Sequence, residues 1–102
     1  MKHQFISDVT DDEIRKERAK AQKLRKTQWW KRKCSEGHCF FCGRKFKPKE
    51  LTMEHIVPLI RGGKTIKSNV VPSCKECNTA KKYLLPIEWE AYLKRLHMDT
   101  WS

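Results

Sequence analysis

The sequence lacks any apolar run near the 18 or so residues that would cross a bilayer, so no membrane helix is expected. Its opening "MKHQFISDVTDDE" lacks the apolar centre of a signal peptide, which points to the cytoplasm. There are no internal repeats and no low-complexity linkers. Acidic residues are also scarce: 12 Asp plus Glu stand against 23 Lys plus Arg, a net charge of +11 with a pI near 9.7. An excess of that size suits a polyanion, most simply DNA or another nucleic acid, and not a membrane.

At 102 residues the chain has the length of one domain. A domain of this size buries only about 65% of its unfolded surface, so some staple is expected. Hydrophobic residues make up 38%, and four Trp, four Phe and two Tyr are too many for a disordered tail.

Thr10 and Glu13 have the spacing of a capping box, Asp11 and Asp12 suit a positive helix start, and the next twenty residues hold no Gly or Pro. This predicts one helix over about 11–32, with a thin apolar face of Ile14, Ala21, Leu24 and Trp29 or Trp30. Residues 1–33 carry 11 Lys/Arg against 5 Asp/Glu. Such a run is most simply a solvated face, and as a group it is a candidate arm for a polyanion. We therefore divide the chain into a basic helical arm over 1–36, a core over 37–83 and a packing helix over 84–102.

From Cys34 to Asn78 the texture changes to short apolar pieces broken by Gly43, Pro48, Pro58 and Gly62-Gly63. "ELTMEHIVPL" and "SNVVPSC" read as strands flanking a glycine loop, and "KECNTAKKYL" as a short helix. Pro86 opens a helix through about His97. Its stripe of Trp89, Leu93 and Leu96, with Tyr92 beside it, is expected to pack in the core.

Cys39-x2-Cys42 and Cys74-x2-Cys77 are two identical knuckles separated by 31 residues. Buried small hydrophobes would explain one or two cysteines, but not two identically spaced pairs. The set predicts a four-cysteine structural zinc site, which supplies the staple. Cys34 fits no pair and reads as a free thiol, and His38 as a surface neighbour of the site.

Within the stapled segment lies Glu54-His55, with Asn69 following His55 by 14 residues and Asn78 by 23. The order of C-x2-C, "MEHIVPLIRGGK" and "NVVPSCKECNTAKK" resembles the HNH endonucleases of the ββα-metal (His-Me finger) class, in the variant whose third letter is Asn. The resemblance covers about residues 37–83. It implies an α+β domain in which a hairpin precedes a helix, a divalent ion such as Mg²⁺ held at the scissile phosphate, and hydrolysis or nicking of DNA.

Phosphodiester hydrolysis needs an activated water and charge neutralisation at the phosphate. His55 is the histidine beside a carboxylate in the stapled segment, so we assign it as general base. The resemblance implies Glu54 and Asn78 as ligands of the ion. Glu54 departs from the Asp or His more usual at that position. Asn69 is assigned to bond backbone across the Gly62-Gly63 loop. Arg61, Lys64, Lys81 and Lys82 are candidates for contact with the nucleic-acid backbone. Adjacent strand residues point to opposite faces, so Glu54 and His55 can serve one phosphate only if the strand end is twisted or bulged near Pro58. The competing reading is a zinc-stapled module that binds nucleic acid without cutting it.

Overall fold

The computed structural model describes residues 9–101, with side chains described for residues 9–96. The first helix, α1, spans Asp11–Leu24. The Thr10 hydroxyl accepts from the Glu13 amide at 3.1 Å and the Thr10 amide donates to Glu13 Oε1 at 2.9 Å, completing the capping box. A second helix, α2, runs Gln28–Ser35, so the single helix expected over 11–32 is two. Thr27 divides them. Its backbone is extended, and its hydroxyl donates to the Leu24 carbonyl at 2.7 Å and accepts from the Trp30 amide at 3.2 Å. One side chain thus satisfies the end of α1 and the start of α2. The re-aimed α2 buries Trp30 and Cys34, which lie one turn apart.

Two short strands follow, β1 at Thr52–His55 and β2 at Val70–Ser73, paired antiparallel with Glu54 opposite Val71 and His55 opposite Val70. The expected strand over 50–59 is therefore shorter and stops before Pro58. Leu59–Arg61 and Lys67–Asn69 form single 3-10 turns between the strands. Pro72 lies in β2, where it cannot donate. Its carbonyl instead accepts from the Phe40 amide at 2.9 Å, joining the first cysteine knuckle to the sheet.

Helix α3, Lys75–Lys81, starts directly after Cys74, whose sulfur accepts from the Cys77 amide at 3.4 Å. The order β1, β2, α3 is the ββα arrangement that the sequence predicts, within an α+β domain. Helix α4 spans Pro86–Trp101.

The core is built around the cysteines: Trp30, Cys34, Cys39, Leu51, Val70, Cys74, Cys77 and Trp89 form one buried cluster. Phe41 meets the Trp89 ring edge-on at 5.8 Å, and Tyr92 stacks on Trp89 at 5.3 Å. The α4 stripe is a correction to the sequence reading. Trp89 and Tyr92 pack inward, whereas Leu93 and Leu96 are 39% and 45% exposed. The aromatic stack takes the inward-facing positions, so Leu93 and Leu96 lie nearer the surface than the stripe predicts. Among those residues no helix is long and apolar enough to cross a membrane.

Candidate active site and metal centre

The staple comes from two turns brought face to face. In the first knuckle the Gly43 amide bonds the Cys39 carbonyl at 2.9 Å, and Gly43 takes the left-handed conformation that the tight turn requires. The second knuckle is the start of α3. Together they gather the four sulfur atoms of Cys39, Cys42, Cys74 and Cys77 within 4.8 Å of one another. A tetrahedral zinc with bonds of about 2.3 Å needs sulfurs ~3.8 Å apart, and Cys42 and Cys74 stand at 4.0 Å. The donor set and its spacing fit zinc.

Burial pushes the Cys42 thiol up, but hydrogen bonds from Arg44 outweigh it and bring the thiol to about 7, near the thiolate that a metal needs. Arg44 Nε lies 3.2 Å from Cys42 Sγ, and its guanidinium also pairs with Glu76 at 2.5 Å.

The loop after β1 is shaped by its glycines. Gly62 is left-handed at φ 93°, and a Cβ on Gly63 would stand 1.8 Å from the Val57 carbonyl oxygen, so no other residue fits there unchanged. Asn69 closes the loop from the far side. Its Oδ1 accepts from the Val57 amide at 2.9 Å, and its Nδ2 donates to the carbonyls of Val57 at 3.1 Å and Lys64 at 2.8 Å. The segment just beyond His55 is thereby pinned on both strands' ends.

His55 is the last residue of β1, and the chain bends at Ile56 and Val57. With the strand ending there, Glu54 and His55 border the same open cleft of about 700 Å³. It is lined as well by α1, including Arg18, by Arg25 at the end of that helix, and by Lys82 and Tyr83. A smaller cleft is lined by Glu54, Asn78, Thr79, Lys82 and Tyr83, so Glu54 is common to both.

The Asn78 amide nitrogen lies 3.3 Å from the Thr52 hydroxyl. That leaves its oxygen, with the Glu54 carboxylate, as the hard donors suited to Mg²⁺. Burial raises the pKa of Glu54, with Lys81 opposing. Burial lowers that of His55, aided by Arg25 and Lys81 and opposed by Glu17, which favours a neutral imidazole.

The sequence model of the HNH endonuclease family matches residues 39–89, half of the chain. The chain belongs to that family. No curated protein matches it. The HNH match runs from the first zinc-type cysteine through α3 into α4, and it contains the loop, Glu54, His55, Asn69 and Asn78.

Two of the four basic residues expected to contact nucleic acid have internal partners. Lys81 is fully buried, with its ammonium 3.2 Å from the His55 carbonyl, 3.1 Å from the Leu84 carbonyl and 3.7 Å from Glu54 Oε2. It cannot reach a surface phosphate without leaving the core. Arg61 forms a two-pronged pair with Glu88 at 3.0 and 3.2 Å and bonds the Tyr83 carbonyl at 3.1 Å. Lys64 is exposed beside the loop. Lys82 is exposed at the mouth of both clefts. Among the described residues it is the one non-glycine with positive φ, 43°, a conformation that costs on the order of 1–3 kcal/mol and tends to persist at functional sites.

Sequence reading did not find Thr65 and Glu17. The Thr65 hydroxyl is 2.9 Å from His55 Nε2 and donates to the Glu17 carbonyl at 2.8 Å. The Thr65 amide donates to Glu17 Oε1 at 2.6 Å.

Proposed function

We propose that the chain is a divalent-metal-dependent endonuclease that hydrolyses DNA phosphodiester bonds. The observation that carries this reading is the convergence of Glu54 and His55 on one basic-walled cleft, with Asn78 on the adjoining one. His55 is the general base, taking a proton from the attacking water, a role worth about 10²–10⁴ in rate. Its lowered pKa keeps the ring ready to accept that proton near neutral pH. Glu54 and Asn78 would hold the ion, which would supply charge neutralisation at the phosphate and stabilisation of the leaving oxygen. Asn69 and Gly63 fix the backbone that follows His55. Arg18 on α1 and Arg25 at its end, with Lys64 and Lys82, receive the flanking phosphates. The four-cysteine centre would hold a structural zinc that ties the first knuckle to the start of α3.

Supercoiled plasmid incubated with Mg²⁺, Mn²⁺ or EDTA tests the reading. Nicked or linear product is expected with the metals and none with EDTA. His55→Ala should keep zinc, fold and DNA affinity while losing about two to four orders of magnitude in rate. If the parent cuts no DNA with any divalent ion, or His55→Ala cuts equally well, the chain is a binding module.

A further inference from the structure

We propose that Glu17 and Thr65 are positioning residues for His55, so that α1, which lies outside the stretch matched by the family, sets which ring nitrogen acts as the base. This rests on the reading of His55 as general base. A threonine hydroxyl has one proton to give. Here that proton goes to the Glu17 carbonyl at 2.8 Å. Toward His55 Nε2, at 2.9 Å, the same oxygen can then only accept. Nε2 must therefore carry the ring hydrogen, and the basic lone pair lies on Nδ1.

Thr65 is itself held twice by one residue of α1, since its amide donates to Glu17 Oε1 at 2.6 Å. Thr65 and Glu17 are 9% and 6% exposed, so water does not compete freely for these bonds. A carboxylate buried on a helix face is costly unless it is paired. Glu17 has that pairing from the Thr65 amide and from Lys20 at 3.0 Å. A simple anchor for α1 would need only the amide bond. The second bond, which commits the hydroxyl proton, is what reaches the imidazole.

The full, zinc-loaded chain tests this. Thr65→Val keeps the amide bond to Glu17 and removes the hydroxyl, and Thr65→Ser restores it. The neutral His55 ring of the parent should show a protonated Nε2 and a bare Nδ1 in nitrogen-15 spectra. Thr65→Val should show mixed tautomers and a nicking kcat at least ~10-fold lower, within the ~10²–10⁴ that the base supplies, at unchanged KM. Thr65→Ser should recover both the spectrum and most of kcat.

A parent ring protonated on Nδ1 overturns the proposal, whether or not Thr65→Val folds. So does a folded Thr65→Val with the parent's tautomer and kcat. An active His55→Ala instead removes the general-base reading, so the two failures are separable.

Discussion

The ammonium of Lys81 lies beneath the candidate site, 3.7 Å from the Glu54 carboxylate and 3.2 Å from the His55 carbonyl. The Phe41 ring lies 5.5 Å from it, so the cation sits between an aromatic face and the two adjacent site residues. Burial lowers the pKa of Lys81 and raises that of Glu54, and each charge opposes the shift of the other. Lys81 thus opposes the upward shift that burial gives the Glu54 carboxyl, and an ionised Glu54 suits an oxygen ligand for a hard cation.

Removing one partner should expose that dependence. Lys81→Met leaves Glu54 half-buried without its cation and is expected to cost about 3 kcal/mol. Glu54→Gln in the same background should recover much of the loss, because no charge then remains to be compensated. Thermal or urea unfolding of the two single variants and the double variant measures the coupling. A Lys81→Met protein as stable as the parent would show that the ammonium does not compensate Glu54.

The four sulfurs predict close to one tightly held zinc per chain. Cys39 and Cys74 are 1% and 2% exposed and lie inside the hydrophobic cluster, so the metal and the core should be lost together. Cys39→Ser or Cys74→Ser should lower zinc content and melting temperature in parallel, and a strong chelator should unfold the parent. Full stability in a metal-free protein would mean that the apolar core suffices.

Gly63→Ala should destabilise by several kcal/mol or fail to fold, because its methyl would stand 1.8 Å from the Val57 carbonyl oxygen. That conflict is with backbone, and Asn69 pins the same Val57 peptide on both its polar groups. A melting temperature equal to the parent's would show that the loop after His55 is not fixed as described.

The zinc-type spacing, the ββα order and the first helix cap were legible because each depends on residues close in sequence or on a fixed interval. Thr10 and Glu13 are three apart, and each cysteine knuckle has a two-residue gap. The break at Thr27 was not found, because a threonine inside a run free of Gly and Pro gives little sign that its hydroxyl will cap in both directions. From sequence Lys81 reads as a surface cation, because a helix of seven residues is too short for its periodicity to reveal the inward face. The Glu17 contact joins residues 48 apart, which no local rule reports. One sign of it was present: Ile14, Glu17, Ala21 and Leu24 share a stripe at intervals of three, four and three, and Glu17 is the carboxylate within it.

Glu17 also gives a stability prediction with a definite sign. The Thr65 amide bond, with Lys20 and Lys64 in support and burial opposing, holds its pKa below the usual 4.5. A depressed carboxylate contributes stability that is fully present above its unfolded pKa and is lost as pH falls through the folded value. The parent should therefore lose stability below about pH 4.5 more steeply than Glu17→Gln, which cannot titrate there. Parallel curves for the two proteins, followed by urea unfolding from pH 7 to pH 3, would show that Glu17 carries no such linkage.

The role of α1 at the cleft changes how the basic excess should be tested. Deleting residues 1–33 would remove Trp30 from the core and Glu17 from Thr65, so lost binding would report lost structure. Arg18→Gln and Arg25→Gln keep both contacts and remove only charge from the cleft wall. Each phosphate neutralised releases condensed counterions, so log K against log salt for duplex DNA should flatten by about one unit for each arginine that meets a phosphate, and by about two in the double variant. Arg15 supplies an internal comparison, because its guanidinium is already paired with Asp12. Arg15→Gln should change the slope less than either of the others. A slope equal to the parent's in the double variant would show that α1 supports His55 from behind without holding the nucleic acid.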